Sequence, residues 1–327
     1  MVAKSPHEDL GTDRMNQATR LARVIVRQII EAGITDAVIS PGSRNAPLSL
    51  ALVTAQDLGL IKLHIRIDER TAAFYALGLA KATNRPVPVI CTSGTAVANY
   101  HPAVLEASHS NISLFVITAD RPAELRRTGA NQTTEQARIF GKAVRYFSDV
   151  SGAVYPLELP LNALNTGPVH LNLQFEEPLV GDVDTTWLND IKVNPPRKFD
   201  RKKAGTLASK STRGLLVIGH DRGGLSASDV AKFADQLGWP IISEDPLTFP
   251  GANAHASLFL NSTTIAKDLA PDTVVVIGRT TLSRSVNALI KLARATFVID
   301  PRIATVDSDR MAEKKFTEIP EIYTATA

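Results

Sequence analysis

The chain of 327 residues contains one cysteine, Cys91, and few aromatic side chains, 6% of the total. A single cysteine excludes a disulfide framework and a cysteine-rich zinc site, and its place in the apolar run 87–92 predicts a buried thiol. The formal charge of +3 is small, so no nucleic-acid partner is expected. No apolar run approaches the roughly 18 residues of a membrane-spanning helix, and residues 1–13 lack the apolar core of a secretory signal. We therefore expect a cytoplasmic protein without a membrane span.

Two common nucleotide-binding motifs are absent as well. No Gly-x-Gly-x-x-Gly segment opens a βαβ unit and no Walker A lysine follows a glycine-rich loop, so nicotinamide and P-loop chemistry receive no support. The histidines do not repeat at the spacing of metal ligands. We therefore expect no metal-binding residue among these positions.

Apolar runs alternate with helical patterns through the first half of the chain. Residues 16–32 carry leucine, valine and isoleucine at helical spacing, and the alanine-rich segments 70–83 and 96–108 predict two further helices. Short apolar runs between them predict strands at 37–39, 63–67, 87–91, 113–118 and 167–173. This order predicts a doubly wound, mainly parallel α/β sheet covered on both faces.

A second unit of the same class follows a change in composition. From 182 to 212 the chain carries adjacent prolines and a basic cluster with little apolar periodicity, which is typical of a linker. Beyond it, the predicted strands are 215–218, 240–242, 273–277 and 296–299, and the predicted helices are 226–238 and 284–294. The expected organisation is a disordered segment at 1–13, one α/β domain at 14–181, the linker, and a second α/β domain at 213–327.

Polar residues stand where four predicted strands of the first domain end. They are Ser40-Pro41-Gly42-Ser43-Arg44-Asn45, Asp68-Glu69, Thr92-Ser93-Gly94-Thr95 and Ala119-Asp120-Arg121-Pro122. Ligands of open α/β sheets bind in the crevice outside the carboxyl ends of the strands. We therefore expect a binding site at this edge of the first sheet.

The chemistry of these segments favours an anion. A helix start and Arg44 offer backbone N–H groups and a bidentate guanidinium, and we expect this arginine to bury little surface. Arg121, followed by Asn131 and Gln132, suits a substrate that bears carboxylates. Asp68 and Glu69 allow two interpretations, a helix cap with a favourable first-turn charge or a catalytic acid or base, and their spacing does not decide between them.

Five motifs occur in the order of a known family. They are Ser40-Pro41-Gly42-Ser43-Arg44, Asp68-Glu69-Arg70, Thr92-Ser93-Gly94-Thr95-Ala96-Val97-Ala98-Asn99, Thr118-Ala119-Asp120-Arg121-Pro122 and Gly129-Ala130-Asn131-Gln132. With them the chain resembles the N-terminal part of the 2-succinyl-5-enolpyruvyl-6-hydroxy-3-cyclohexene-1-carboxylate synthases, which are thiamine diphosphate-dependent enzymes of menaquinone biosynthesis. The likeness extends over essentially the whole chain and is sharpest between 37 and 135.

The resemblance implies an architecture and a cofactor. In this family the first domain binds the aminopyrimidine of thiamine diphosphate and a central α/β domain follows. A third domain holds the diphosphate through Mg²⁺ or Mn²⁺ with a Gly-Asp-Gly…Asn motif. No Gly-Asp-Gly occurs in these residues, so we expect the metal and diphosphate site on a domain that is missing here. On this interpretation the chain is a truncated form, inactive alone, and the complete protein forms a homodimer or a higher oligomer.

The resemblance also implies residue roles. Glu69 matches the catalytic glutamate that bonds the pyrimidine N1′ and promotes removal of the thiazolium C2 proton. The implied cofactor contacts are Pro41, Gly42, Glu69, Thr92 and Gly94, and the implied substrate contacts are Ser43, Arg44, Arg121, Asn131, Gln132 and Arg284.

The implied reaction decarboxylates 2-oxoglutarate and adds the resulting four-carbon unit to isochorismate. Both substrates carry carboxylates, in agreement with an arginine-lined edge. Two alternatives stay open: an acetolactate-synthase-like enzyme of the same cofactor class, and a binding module without turnover. An acetolactate-type site handles a substrate with one carboxylate, so it is expected to replace Ser43-Arg44 and the Arg121 group.

Overall fold

The computed structural model describes residues 16–152, 158–182, 184–194, 205–208, 211, 213–302 and 311–323. The chain divides into two units, residues 1–198 and 199–327. The segment 1–13, predicted to be disordered, lies outside the described residues.

The first unit alternates helices with strands. Its elements are α1 (Gln17–Glu31), β1 (Asp36–Ile39), α2 (Ala46–Asp57), β2 (Lys62–Ile65), α3 (Glu69–Thr83), β3 (Val87–Cys91), α4 (Thr95–Ala98), α5 (His101–Ser110), β4 (Leu114–Asp120), β5 (Tyr146–Ser151), α6 (Leu161–Leu164) and β6 (Val169–Gln174). The strands form one sheet in the order β2-β1-β3-β4-β6-β5, with parallel pairing throughout. The predicted parallel α/β fold is confirmed.

Neighbouring residues of the central strands are buried on opposite faces of this sheet. Val38 and Val116 belong to the core cluster formed with α3 and α5, whereas Ile39 and Ile117 belong to the cluster formed with α1 and α2. Burial on both faces explains why these strands are continuous apolar runs in the sequence.

The predicted helix 96–108 is wrong in one respect, because it is not continuous. The structure separates α4 from α5 at Asn99 and Tyr100, and Pro102 lies in the first turn of α5. A proline at 102 has no N–H to donate to the carbonyl of Ala98, four residues earlier, which disfavours one continuous helix.

Strand β5 is absent from the predicted elements. It reads Tyr-Phe-Ser-Asp-Val-Ser, without the apolar run of the central strands, and lies at the edge of the sheet beside β6. An edge strand has a neighbour on one side only, so its position depends on hydrogen bonding to β6 more than on apolar burial.

The second unit is also built on a parallel sheet. Its elements are β7 (Thr206–Ala208), β8 (Gly214–Ile218), α7 (Ala227–Leu237), β9 (Ile241–Ser243), α8 (Ala256–Leu260), α9 (Thr263–Asp268), β10 (Thr273–Ile277), α10 (Arg284–Ile290), β11 (Ala295–Ile299), β12 (Lys314–Phe316) and β13 (Glu321–Tyr323). Five strands pair in the order β12-β11-β10-β8-β9, and β7 pairs with β13. The four strands predicted for this unit are present, and α10 ends at Ile290.

Part of the range 182–212, predicted as a linker, packs on the first unit. Trp187 lies in a 3-10 turn, is 3% exposed, and belongs to the core cluster of α1 and α2. Arg27 donates from Nη1 to the Trp187 carbonyl at 2.6 Å, and the Arg23 guanidinium lies 5.8 Å from the Trp187 ring centre. Residues 195–204, which contain the basic cluster, lie outside the described residues.

We expect Trp187→Ala to destabilise the first unit by about 3–5 kcal/mol, because the substitution removes a large buried aromatic side chain. Urea unfolding followed by far-UV circular dichroism measures the free energy of unfolding. Trp187→Phe is the matched control and should lose less, since it keeps most of the apolar volume. A loss below about 1 kcal/mol for the alanine variant would contradict the packing of this segment.

Candidate active site

The turns that follow β1 and β3 lie beside each other at the carboxyl edge of the first sheet. Ser40 N donates to Ile90 O at 2.9 Å, yet the helices that follow the two strands pack on opposite faces, α2 on one and α5 on the other. In doubly wound sheets, ligands bind where the connections diverge in this way. Gly42 permits the close approach of the turns, because a Cβ at this position would lie 2.5 Å from Thr92 Cβ.

The two carboxylates at the start of α3 have different surroundings. Asp68 is the N-cap, and its Oδ1 accepts from the hydroxyl and the N–H of Thr71, both at 2.7 Å. These bonds hold the pKa of Asp68 below its usual range. Glu69 is partly buried, and its Oε2 accepts one long bond, 3.4 Å, from Asn99 Nδ2. Asp68 therefore caps the helix, and Glu69 is the carboxylate of the pair that remains able to contact a ligand.

Buried polar groups with no net charge lie near Glu69. Ser40 is 1% exposed, and Cys91 and Tyr100 are fully buried. Burial, together with the charge of Glu69, raises the pKa of the Cys91 thiol and of the Tyr100 hydroxyl, so both groups are protonated. Within the described part of the chain, neither Ser40 Oγ nor Tyr100 Oη has a partner in good hydrogen-bond geometry. Ser40 and Cys91 both act on the pKa of Tyr100, so three buried, uncharged polar side chains lie together at this edge.

Hydrogen bonds join the turn after β3 to the arginine that follows β4. Arg121 donates from Nη1 to Ser93 Oγ and to Gln132 O, both at 2.7 Å. Ser93 Oγ also donates to Gln132 O, and Gln132 Nε2 donates to Ser93 O, both at 3.0 Å. Gly94 has a φ of +87°, and a Cβ there would lie 2.9 Å from Gln132 Cγ, so the position requires glycine. Hydrogen bonds therefore join the predicted cofactor turn to two predicted substrate residues, Arg121 and Gln132.

Arg44 and Arg121 are close enough for their charges to interact. The pKa of Arg121 is lowered by burial first and by the charge of Arg44 second. Arg44 donates from Nη1 to Phe175 O at 2.9 Å and from Nη2 to Glu177 Oε1 at 3.2 Å. Two neighbouring guanidinium groups at a polar edge favour an anion. In this structure the anion next to Arg44 is the carboxylate of Glu177, which is 74% exposed.

The expectation that Arg44 buries little surface is wrong, because the residue is 9% exposed. Its bond to Phe175 O connects the turn after β1 to the segment after β6. Asn45 is the N-cap residue of α2, and its Nδ2 donates to Ser40 O at 2.9 Å instead of its side chain making a cap bond. Arg44 therefore has a structural contact of its own, which a test of anion binding must take into account.

A buried polar network behind the arginine loop is missing from the sequence predictions. Asn172 donates from Nδ2 to Asp120 Oδ2 and to Asp149 Oδ1, both at 2.9 Å, and Arg126 forms ion pairs with the same two carboxylates. Burial raises the pKa of Asp120. Burial also acts to raise the pKa of Asp149, but hydrogen bonds from Arg126 and Asn172 outweigh it there, and the pKa of Asp149 is lowered. Asp120 Oδ1 accepts from Arg121 N at 2.8 Å. The network thus holds the arginine loop, and no spacing in the sequence predicts that these residues meet.

The remaining predicted residues lie on the surface. Ser43, Pro41 and Asn131 are exposed on the loops of this edge. Arg284 is exposed at the first position of α10, in the second unit. Their contacts with substrate or cofactor stay predictions.

The described residues contain neither a cluster suited to a metal ion nor a membrane-spanning helix. No group of three or more histidine, cysteine, aspartate or glutamate side chains in these ranges is placed to hold a metal ion. None of the helices in the described ranges is long and apolar enough to cross a membrane.

Comparison with known proteins connects this geometry to a family. Residues 19–139 match the family described as thiamine pyrophosphate enzyme, N-terminal TPP binding domain. Curated relatives named 2-succinyl-5-enolpyruvyl-6-hydroxy-3-cyclohexene-1-carboxylate synthase include proteins from Nocardioides sp., 46% identical over 84% of the chain, Saccharopolyspora erythraea, 39% over 84%, and Thermobifida fusca, 40% over 91%. The chain spans about half the length of these relatives, 48%, 53% and 57% respectively. The resemblance seen in the five motifs is confirmed.

His170 should make the first unit sensitive to acid. It is fully buried between the rings of Phe140 and Phe147, and burial lowers its pKa from 6.5 to about 3. In the unfolded chain the imidazole of His170 takes up a proton near pH 6.5, whereas in the folded chain it stays neutral to about pH 3. The contribution of His170 to stability is therefore complete above pH 6.5 and falls as the pH is lowered. We expect a loss of about 2 kcal/mol between pH 8 and pH 5 from this residue.

Urea unfolding at several pH values between 8 and 5 measures this dependence. His170→Gln is the informative variant, because its amide can still donate to Thr118 Oγ1, which His170 Nε2 contacts at 2.8 Å. The variant should show a shallower loss of stability with acid than the wild type. Equal slopes would mean that His170 does not carry the effect.

Arg44→Ala should lower the stability of the first unit by about 1.5–3 kcal/mol, because Phe175 O loses a charged donor inside the fold. Glu177→Gln removes only the exposed partner of the ion pair and should change stability by less than about 1 kcal/mol. Equilibrium unfolding of both variants separates the two contacts of Arg44. Equal losses would show that the exposed ion pair, and not the bond to Phe175, is the main structural contact.

Proposed function

We propose that this chain, a homologue of the 2-succinyl-5-enolpyruvyl-6-hydroxy-3-cyclohexene-1-carboxylate synthases, carries the pyrimidine-binding and central domains of a thiamine diphosphate-dependent transferase of menaquinone biosynthesis. The proposed reaction decarboxylates 2-oxoglutarate and adds the four-carbon unit to isochorismate. The strongest support is the set of charged residues at the carboxyl edge of the first sheet. It combines Glu69, which is not used as the helix cap, with the interacting pair Arg44 and Arg121.

The residues of this edge fit the aminopyrimidine half of thiamine diphosphate. Glu69 offers a carboxylate to a ring nitrogen, and the buried hydroxyls of Ser40 and Tyr100 offer further polar atoms. Gly42 and Gly94 let backbone approach closely where a Cβ would collide. Thiamine diphosphate, when bound, supplies the carbanion chemistry that side chains do not provide. The part of this chain is to hold the pyrimidine and to exchange a proton with it through Glu69.

The arginine pair supports substrates that carry carboxylates. Among its described contacts, Arg121 uses only Nη1 for protein partners, which leaves Nε and Nη2 for the two oxygens of a carboxylate. Arg44 holds the exposed carboxylate of Glu177, which a substrate carboxylate can replace. We also propose Ser43, Asn131 and Arg284 as substrate contacts, as the family resemblance implies. The Gln132 side chain bonds the Ser93 carbonyl, so it acts on the turn as well.

The proposal includes finer points that follow from the family. Mg²⁺ and the diphosphate would bind a third domain with a Gly-Asp-Gly motif, which does not occur in these residues. A homodimer in the cytoplasm is the proposed assembly. Exposed apolar side chains of α2 and of the edge strand β2, which contacts it, support such an interface: Leu50, Val53 and Ile65, with 40–56% exposure.

Glu69→Gln tests the proton role. Exchange of the thiazolium C2 proton of thiamine diphosphate in D₂O is followed by proton NMR with Mg²⁺ and the chain completed by a third domain, and the wild type in this form should accelerate it. Because general acid–base assistance is typically worth about 10²–10⁴ in rate, the variant should lose acceleration of that order. Circular dichroism should show unchanged folding.

Asp68→Asn is the matched control for this experiment. Its amide oxygen can still accept from the Thr71 N–H, so α3 keeps its cap and exchange should stay near the wild-type rate. Wild-type exchange in Glu69→Gln, or a loss confined to Asp68→Asn, would reassign the proton role. No acceleration by the wild type would count against the proposed function as a whole.

A further inference from the structure

The geometry points to Gln136 as a positioning residue that holds the Ser93–Gly94 turn against the end of β4, and so sets the cofactor turn relative to Arg121. The residue is fully buried. Its Oε1 accepts from Gly94 N at 2.8 Å, and its Nε2 donates to Ala119 O at 3.1 Å and to Asn172 Oδ1 at 2.9 Å. The inference rests on the proposed function in one respect, the assignment of this turn to the cofactor.

The orientation of the Gln136 amide is determined by its partners. A backbone N–H can only donate, so the group that faces Gly94 must be the oxygen. Asn172 donates from Nδ2 to the carboxylates of Asp120 and Asp149, which accept only, so its Oδ1 faces Gln136. Both ends of the Gln136 amide are thus assigned independently. Neither a purely apolar side chain nor an ionised carboxylate can make all three bonds.

The bond to Gly94 acts on the most constrained point of the turn. Gly94 has φ +87° and ψ −141°, it is the N-cap residue of α4, and its neighbour Ser93 is fully buried. A buried N–H without an acceptor is unfavourable, so the turn keeps this backbone position only while an acceptor is present. Gln136 supplies that acceptor.

The other bonds of Gln136 act on the substrate arginine. Ala119 directly precedes Asp120, whose carboxylate accepts from Arg121 N, and Asn172 bonds the same carboxylate. One side chain therefore connects the turn after β3 to the loop that holds Arg121. The direct hydrogen bond from Arg121 to Ser93 Oγ requires that the turn after β3 and the Arg121 loop keep their relative positions.

Two variants separate the acceptor from the donors. Gln136→Met has a similar length but no strong acceptor, so Gly94 N–H loses its partner. Gln136→Glu keeps an acceptor for Gly94 but, when ionised, has no hydrogen for Ala119 O or Asn172 Oδ1. If Gln136 positions the turn, Gln136→Met should disturb the Gly94 backbone more than Gln136→Glu does. Gln136→Glu should lower global stability more than Gln136→Met, because it places a carboxylate against two acceptors.

Amide hydrogen exchange of the 327-residue chain, resolved at Gly94 by NMR, is the measurement. Gln136→Met should speed exchange at Gly94 by about tenfold or more, and Gln136→Glu should stay within a few-fold of the wild type. Leu164→Ala is the control for general destabilisation, since Leu164 is buried in the α1–α2 cluster, outside the turn. It should not speed Gly94 exchange selectively. Fastest exchange in the Glu variant, following its lower stability, would overturn the inference.

Titration with thiamine diphosphate, carried out on the chain completed by a third domain, distinguishes this inference from the proposed function. Gln136→Met should weaken binding more than Gln136→Glu does, again against the order of stability. If the wild type in this completed form does not bind thiamine diphosphate, the proposed function fails, and the exchange order at Gly94 still decides whether Gln136 positions the turn. If Gln136→Met does not fold, Gln136→Asn takes its place, because the shorter amide cannot reach Gly94 and Asn172 together, and it should show the same faster exchange.

Discussion

The parallel pairing of β1 with β3 is the constraint on which the site depends. The two strands lie side by side, but their following helices cover opposite faces of the sheet, so their turns separate above the strand ends. The turns nevertheless approach to contact distance at Gly42 and Thr92. Glu69 begins the helix after β2, the other neighbour of β1, so it reaches the same edge. This strand order therefore brings the two turns and one carboxylate to the same edge of the sheet.

Hydrogen bonding of buried polar groups then makes the loops of this edge interdependent. Ser93 and Gly94 bond Gln132 and Gln136, and Arg121 bonds Ser93 and Gln132. Behind them, Asn172 connects to the carboxylates that Arg126 holds. Because a buried donor or acceptor without a partner is unfavourable, these loops keep their geometry jointly. Arg44 and Arg121 also interact at this edge, since the charge of Arg44 is, after burial, the next cause that lowers the pKa of Arg121.

Much of the fold could be predicted because its signals are local. The central strands are continuous apolar runs, and α1 and α3 carry helical periodicity and side-chain caps at Asn16 and Asp68. Signals that depend on distant partners were missed. Strand β5 has no apolar run of its own, and the burial of Trp187 depends on α1, about 160 positions earlier in the chain. The break between α4 and α5 had a local signal in Pro102, which has no N–H to donate inside one continuous helix.

The primary sequence alone was sufficient to predict the parallel α/β class and the resemblance to a family, and to locate the polar segments at the strand ends. It could not show which of Asp68 and Glu69 caps α3, because that depends on which carboxylate accepts hydrogen bonds from Thr71 once the helix has formed. Nor could it show that Arg44 is buried, or that Gln136 and Asn172 lie beneath the turn, since these contacts join segments far apart in the chain. Local patterns determine which element forms, whereas the partners of a buried polar group depend on how the strands are ordered in the sheet.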